Sequence, residues 1–387
     1  MWNFISPRIV FGEEALDFLD ELEGKRALIV TDTTMVQLGL VDKVKAHLDS
    51  AGIDVHTFDE VEPEPSVQTV KRGAEVALKV EPDWIIGLGG GSSMDAAKAI
   101  WVLYEQPDME PAAISPIMEL RLRQKARLIT IPTTSGTGAE ATWAIVLTDT
   151  EGQRKMGLGH PENHADIAIV DPEMAKGMPP QLTANTGLDA LTHAVEGYTC
   201  TWQNDITDGL CLNAALLILR YLPRSFKDGS DMEARERMHN AASLAGLGFG
   251  NAMASMAHAM GHTLGAVFNV PHGRAVSIFL PYTIEFAARE TPQRFAEMAA
   301  FIGCSNEGGE KAARSLATYI RDLCQKVSNP TSVAEAGIER EAYDAQADKM
   351  VDDAFNDTQI ITAVRTPSYE ELRQLFLYAY DGRSVDF

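Results

Sequence analysis

A chain of 387 residues with 45% hydrophobic content is long enough for two domains with large cores. Its formal net charge of −22 argues against a nucleic-acid partner or an anionic membrane surface, since both need a positive face. Cys200, Cys211, Cys304 and Cys324 form no CxxC pair, which points to small buried thiols in a reducing, cytoplasmic setting. No basic-then-apolar leader is read at the N-terminus, and apolar runs such as Ala214 to Leu219 fall far short of the ~20 residues of a membrane span.

In chain order, Arg8 to Phe11 predicts a short strand, Glu13 to Leu22 a helix, and Arg26 to Val30 a strand closed by Thr31-Asp32. A helix over Val41–Ala51, a strand over Asp54–Phe58, a helix over Val67–Val80 and a strand over Trp84–Leu88 follow. The strand at Leu128–Pro132 leads into a Thr-rich turn, and Ala144–Leu147 and Ala168–Val170 are further strands. Strands alternating with helices predict an α/β, doubly wound, mostly parallel dinucleotide-binding domain over 1–180. After Met178-Pro179-Pro180 the pattern is helical. Helices are expected over Asn185–Tyr198, Thr207–Leu222, Met232–His262, Ala275–Ala288, Pro292–Phe301, Gly309–Lys326 and Tyr369–Tyr380, which makes 181–387 an all-α domain.

Gly89-Gly90-Gly91-Ser92 joins a buried strand to a helix containing Asp95. Glycines let a backbone approach a phosphate, and the free amides of a helix start point at it. The loop lacks both the GxGxxG and the Gly-Lys-Ser/Thr pattern, so a plain tight turn is the competing reading. Asp32, at the end of an early strand, suits either a hydrogen bond to an adenosine ribose or a cap on the next helix. Thr133, Thr134 and Thr137 stand at another strand end, as ligand contacts or as hydroxyls closing a local turn.

The second half carries the candidate metal ligands, with a helix face packed against another helix as the competing reading of its histidine pairs. Asp189 and His193 are four residues apart, as are His258 and His262, and each pair shares one face of a helix. His272 follows in a loop between Pro271 and Gly273. These are five candidates for about four positions around one divalent cation, so one imidazole is left over. His47, His56, His160, His164 and His239 read as structural or surface residues; His160 and His164, in a Gly/Pro-punctuated loop, are the least defined.

These motifs together resemble the iron-containing (group III) alcohol dehydrogenase family. The match runs through Gly89-Gly90-Gly91-Ser92 with Asp95, Ile131-Pro132-Thr133-Thr134-Ser135-Gly136-Thr137 and Asp171-Pro172. It continues through Thr186-Gly187-Leu188-Asp189-Ala190-Leu191-Thr192-His193 and His258-Ala259-Met260-Gly261-His262 with Pro271-His272-Gly273. The resemblance implies an active site between the two domains and a metal held by Asp189, His193, His258 and His272. His262 becomes the spare imidazole, close to nicotinamide and substrate. It further implies that Asp32 favours NAD over NADP, and that Gly89, Gly90, Gly91, Ser92, Asp95, Thr133, Thr134, Thr137, Lys155 and Leu182 contact the cofactor. Phe249, Trp143 and Ala144 would flank the substrate. Thr33 departs from the Lys often found after the acid, and Gly157 to Ala165 is an unusual run.

The implied reaction is NAD-dependent hydride transfer between nicotinamide and a small primary alcohol or short diol, with Fe(II), or Zn(II) on ligand chemistry alone. His262 is expected to carry a proton to solvent. A homodimer or larger homo-oligomer is expected, with the N-terminal strand as its pairing edge. The competing readings are a zinc-dependent polyol oxidoreductase of the glycerol dehydrogenase type, a dehydroquinate synthase-like lyase on the same architecture, and a non-catalytic metal- and nucleotide-binding subunit.

Overall fold

The computed structural model describes residues 3–152 and 154–387; Met1 and Trp2, at the start of the stretch read for a leader, lie outside the described residues. The chain divides into two compact units, Met1–Met178 and Pro179–Phe387.

The first unit contains strands β1 (Arg8–Phe11), β2 (Arg26–Val30), β3 (Asp54–Phe58), β4 (Trp84–Gly89), β5 (Arg127–Pro132), β6 (Ala144–Asp149), β7 (Arg154–Gly159) and β8 (Ile167–Val170). Its helices are α1 (Thr33–Gln37), α2 (Leu40–Ser50), α3 (Val67–Val80) and α4 (Gly91–Glu105). Six strands form one parallel sheet in the order β1-β8-β5-β4-β2-β3. Leu28 and Val30 of β2 join a core with Val70, Ala97 and Ile100, while Ala27 and Ile29 join another with Val44 and Leu48. Helices cover both faces, which is why these strands are apolar at consecutive positions.

Strand order creates a candidate binding edge. From β2 the chain adds β3 on one side, then returns through α3 to place β4 on the other side, with β5 and β8 beyond. The direction of addition reverses between β2 and β4. The residues leaving those two strands, Asp32 and Gly89-Gly90-Gly91, therefore emerge side by side where open parallel sheets bind ligands.

Several expectations shift. The helix expected over Glu13–Leu22 is a 3-10 helix, Ala15–Glu21, tied down by Leu16 N–H donating to Asp171 Oδ2 at 3.1 Å. The strand at Ala144 is real but stays out of the main sheet. It pairs antiparallel with β7, a strand not expected. β6 buries Ile145 and Leu147 but exposes Val146, so it has one apolar face rather than two. It is pinned to α4: Val146 N–H donates to Asp95 Oδ2 at 2.9 Å, and Lys98 Nζ donates to the Ala144 carbonyl at 2.9 Å.

The second unit is helical: α5 (Pro180–Thr199), α6 (Asp205–Lys227), α7 (Met232–Gly250), α8 (Met256–Phe268), α9 (His272–Ala287), α10 (Pro292–Phe301), α11 (Gly309–Lys326), α12 (Arg340–Phe355) and α13 (Tyr369–Asp381). α5 opens on Pro180, which suits a first helical position. α6 is long and apolar enough by composition to cross a membrane, against the expectation from its apolar run alone. It lodges Cys211, Ala214, Ala215, Ile218 and Leu222 in the core of this unit.

The single helix expected over Met232–His262 is two, broken at 251–255. α8 has no cap from its own Ser255 side chain; the buried Glu196 carboxylate of α5 accepts the amides of Ser255 at 2.9 Å and Ala257 at 2.5 Å instead. α12, not expected from its charged sequence, buries Tyr343, Ala347, Met350, Val351 and Ala354 along one face. His272, expected in a loop, is the first residue of α9.

Candidate active site

In the first unit the glycine loop and Asp32 meet. Ser93 Oγ lies 3.4 Å from Asp32 Oδ2. Gly89 has φ +146°, a conformation L side chains rarely adopt, and a Cβ there would come within 2.6 Å of Ser93 Oγ. Gly90 precedes α4 without any side-chain cap, so the first amides of the helix keep their donor capacity. Thr133 N–H donates to the Gly89 carbonyl at 2.9 Å, locking the two strand ends together. The hydroxyl of Thr134 is buried beside Gly90 with no hydrogen-bond partner among the described residues. A helix start without a cap beside an unpaired buried hydroxyl fits a bound phosphate group.

Asp32 performs one of the two roles that the sequence left open, the helix cap, and keeps its second oxygen toward the glycine loop. Oδ1 caps α1 through the amides of Thr34 (2.8 Å) and Met35 (3.3 Å), while Oδ2 turns toward the glycine loop. Ser92 Oγ accepts Glu64 N–H at 3.2 Å, and the Glu64 carboxylate pairs with Lys155 on β7, so Lys155 is tied to this loop through Glu64. Thr137 Oγ1 accepts Ala139 N–H at 3.2 Å and packs on Gly91. Asp95 faces away from the loop, with its carboxylate on Val146 and Lys98. Burial pushes the Asp95 carboxyl up and the Lys98 amine down, as for an interior pair. Trp143 and Ala144 stand at the start of β6; Leu182 lies partly exposed in the first turn of α5. His160 Nδ1 accepts Glu162 N–H as a helix cap, and His164 is buried, its pKa pushed down to about 3 by burial and by Lys98.

In the second unit, three of the five metal candidates converge. Ligand atoms of Asp189, His258 and His272 lie within 4.8 Å of one another. Asp189 Oδ1 is 3.4 Å from His272 Nε2 and 3.9 Å from His258 Nε2. Donor atoms about 2.1 Å from a tetrahedral ion are about 3.4 Å apart, so the spacing suits one cation. Asp189 Oδ1 and His258 Nε2 are buried and have no hydrogen-bond partner among the described residues. Two orphaned polar atoms facing each other in an apolar interior are costly unless an ion sits between them. The residues present therefore fit a divalent metal. Close packing of α9 on α5 brings His272 in: a Cβ on Gly273 would come within 2.1 Å of the Asn185 carbonyl oxygen, so only glycine allows it.

His193 borders this trio. Its ring stacks on His258 at 4.6 Å and on Phe249 at 4.0 Å, nearly parallel. Burial pushes its pKa down to about 3, which leaves a neutral imidazole with a lone pair. Burial raises the Asp189 carboxyl, but His193 and His272 outweigh that, and it is held well below the usual carboxylate range. For His258 burial opposes protonation, yet the carboxylates of Glu196 and Asp189 win and raise its pKa. A metal at Nε2 would replace that proton.

Two carboxylates behind these histidines were given no role by sequence reading. Glu196 lies 2.5 Å from His258 Nδ1, the carboxylate–imidazole arrangement that orients a metal-binding histidine. Its signal was present: 189, 193 and 196 share one face of α5. Asp357 lies 2.7 Å from His262 Nδ1, across 95 residues, with no local signal at all. His262 stays outside the converging trio, its ring 5.4 Å from that of His272 and its side chain 39% exposed.

A glycine loop at the switch point of a parallel sheet, and a converging N/O cluster in a helical unit, fit an enzyme that uses a nucleotide and a metal. The chain belongs to the iron-containing alcohol dehydrogenase family. The model of that family, described as iron-containing alcohol dehydrogenase, matches residues 6–172, and its C-terminal counterpart matches 183–380. The chain is 41% identical to the NADPH-dependent butanol dehydrogenase of Clostridium saccharobutylicum over 390 residues, covering all of both chains. It is 38% identical to the bifunctional aldehyde-alcohol dehydrogenase of Escherichia coli K12, covering 99% of this chain and 46% of that one. A crystal structure of 1,3-propanediol oxidoreductase superposes with a TM-score of 0.92 at 33% identity, over 98% of this chain and 100% of the other. The family uses a nicotinamide dinucleotide and iron, and acts on alcohols and aldehydes.

Proposed function

We propose that this chain is an NAD-preferring, Fe(II)-dependent alcohol dehydrogenase or aldehyde reductase acting on a short primary alcohol or diol. The convergence of Asp189 Oδ1 with the Nε2 atoms of His258 and His272, two of the three atoms buried and unpaired, carries the reading. His193 is the fourth ligand, neutral and one ring stack away. When bound there, the cation supplies Lewis acidity toward a substrate oxygen. The chain's own residues do the rest. Glu196 holds His258 with Nε2 toward the cation position. Phe249 braces the His193 ring against rotation. His262, partly open to water, takes the hydroxyl proton at Nε2 and passes it to solvent. The glycine loop, Ser92, Thr133, Thr134 and Thr137 hold the dinucleotide, with Lys155 near them; Asp95 acts by pinning β6. Phe11 is exposed on β1, the edge of the sheet, which supports a homodimer formed there.

The test is a panel of short aldehydes with NADH, with metal content measured on the same sample. Fe(II)-reconstituted protein is expected to oxidise NADH with at least one aldehyde and to stop after chelation. Protein that binds metal and NADH yet reduces no aldehyde would overturn the reading in favour of a non-catalytic subunit.

NAD preference is a separate matter, because the butanol dehydrogenase relative is NADPH-dependent. Here the Asp32 Oδ2 charge at the glycine loop would oppose a 2′-phosphate. Asp32→Gly is expected to raise NADP use relative to NAD on the order of tenfold, since each ~1.4 kcal/mol of relieved repulsion is one decade. The lost α1 cap costs only about a few tenths of a kcal/mol with Gly in its place, so the fold survives. An unchanged ratio of kcat/KM values removes Asp32 from the ribose site.

A further inference from the structure

The carboxylate behind His262 has no part in metal binding, yet it is built with care. Asp357 is mostly buried, and its two oxygens have different tasks. Oδ1 accepts Gln359 N–H at 2.8 Å and so caps the turn Thr358–Thr362. Oδ2 receives His262 Nδ1 at 2.7 Å. The turn itself is tied to the segment entering α8, where Thr362 Oγ1 donates to the Ala254 carbonyl at 2.5 Å. The carboxylate is thus fixed relative to the helix that carries both His258 and His262. Burial raises the Asp357 carboxyl, but the bond to His262 outweighs it, so the group stays ionised and can only accept.

We infer that Asp357 is a positioning residue that assigns His262 its task. An acceptor at Nδ1 puts the ring proton there and leaves the lone pair on Nε2. It also holds the ring beside His272 but outside the converging trio, which is why one of two histidines a single turn apart on α8 binds metal and the other does not. The inference rests on the proposed relay. In alcohol oxidation a bound nicotinamide dinucleotide would take up the carbon-bound hydrogen together with its electron pair. The O–H proton passes to His262 Nε2 and then to water. A ring whose proton sat on Nε2 could not accept it.

The test uses full-length protein and Asp357→Asn, which keeps an oxygen to cap the turn. The first readout needs no activity: the ring-nitrogen NMR shifts of His262 in metal-free protein. The Nδ1–H form is expected in the wild type, and a substantial Nε2–H fraction in Asp357→Asn, with Asp357→Glu restoring the original form. In metal-loaded enzyme, kcat is expected to fall about 10- to 100-fold with KM little changed, taking as the scale the loss of a carboxylate behind a metal-binding histidine. In a His262→Ala background the same Asp357→Asn change is expected to have no further effect, whereas a merely structural role would persist there. An unchanged tautomer, or an undiminished effect in the double variant, overturns the inference. If His262→Ala itself turns over normally with metal bound, the relay reading fails instead, and the two failures are told apart.

Discussion

Asp189→Ala is expected to fold, to bind dinucleotide, and to lose its metal. Asp189 is the one carboxylate in the converging trio; His258 and His272 offer ring nitrogens. Its oxygen is buried and unpaired, and the nearby imidazoles already hold its carboxyl ionised against burial. Removing one partner from a buried charged cluster costs about 3–5 kcal/mol. At about 1.4 kcal/mol per decade, Fe(II) or Zn(II) affinity should drop by about two to three and a half decades. Metal per subunit after dialysis measures this directly, and turnover should vanish in step. Binding of a nicotinamide dinucleotide, proposed above for the first unit, is the control, since the glycine loop and Asp32 lie in the other compact unit. An Asp189→Ala protein that retains a full complement of metal would show that the cluster is not the site.

His262→Ala should separate metal from chemistry. The variant is expected to keep its metal and to turn over about 10²- to 10⁴-fold more slowly, the range for loss of a positioned proton acceptor. Burial distinguishes the two histidines of α8. His258 is almost fully enclosed and leans on Glu196, whereas His262 reaches water and leans on Asp357. Glu196 aims His258 at Asp189, within the converging trio, whereas a relay such as His262 must touch both the reacting group and solvent. Loss of metal from His262→Ala would make it a ligand, and unchanged turnover with metal in place would end its role as relay.

Much of this was legible from short stretches. Strands β2, β4 and β5 declared themselves because a strand buried on both faces is apolar throughout, and the shift to helical periodicity after Met178-Pro179-Pro180 marked where the character of the chain changes. The i, i+4 pairs put Asp189 with His193 and His258 with His262, because helix geometry is local. The hairpin of β6 and β7 was not legible, since whether a strand enters a sheet depends on Asp95 and Lys98, fifty residues earlier. Nor was the break between α7 and α8, which turns on Glu196 of a different helix.

The sequence by itself determined which residue types were available: a glycine turn before a helix, an acid at a strand end, and five candidate ligands in one segment. Helical and strand periods repeat within a few residues, so such patterns survive in one dimension. Only the tertiary structure decided that strand order reverses between β2 and β4, bringing Asp32 to Gly89, and that α9 packs on α5 through Gly273 closely enough to bring His272 to Asp189. It also decided which imidazole leans on Glu196 and which on Asp357. Those outcomes depend on contacts between groups 61 to 95 residues apart, and hydrogen bonds and close packing act over a few ångströms of space regardless of separation along the chain.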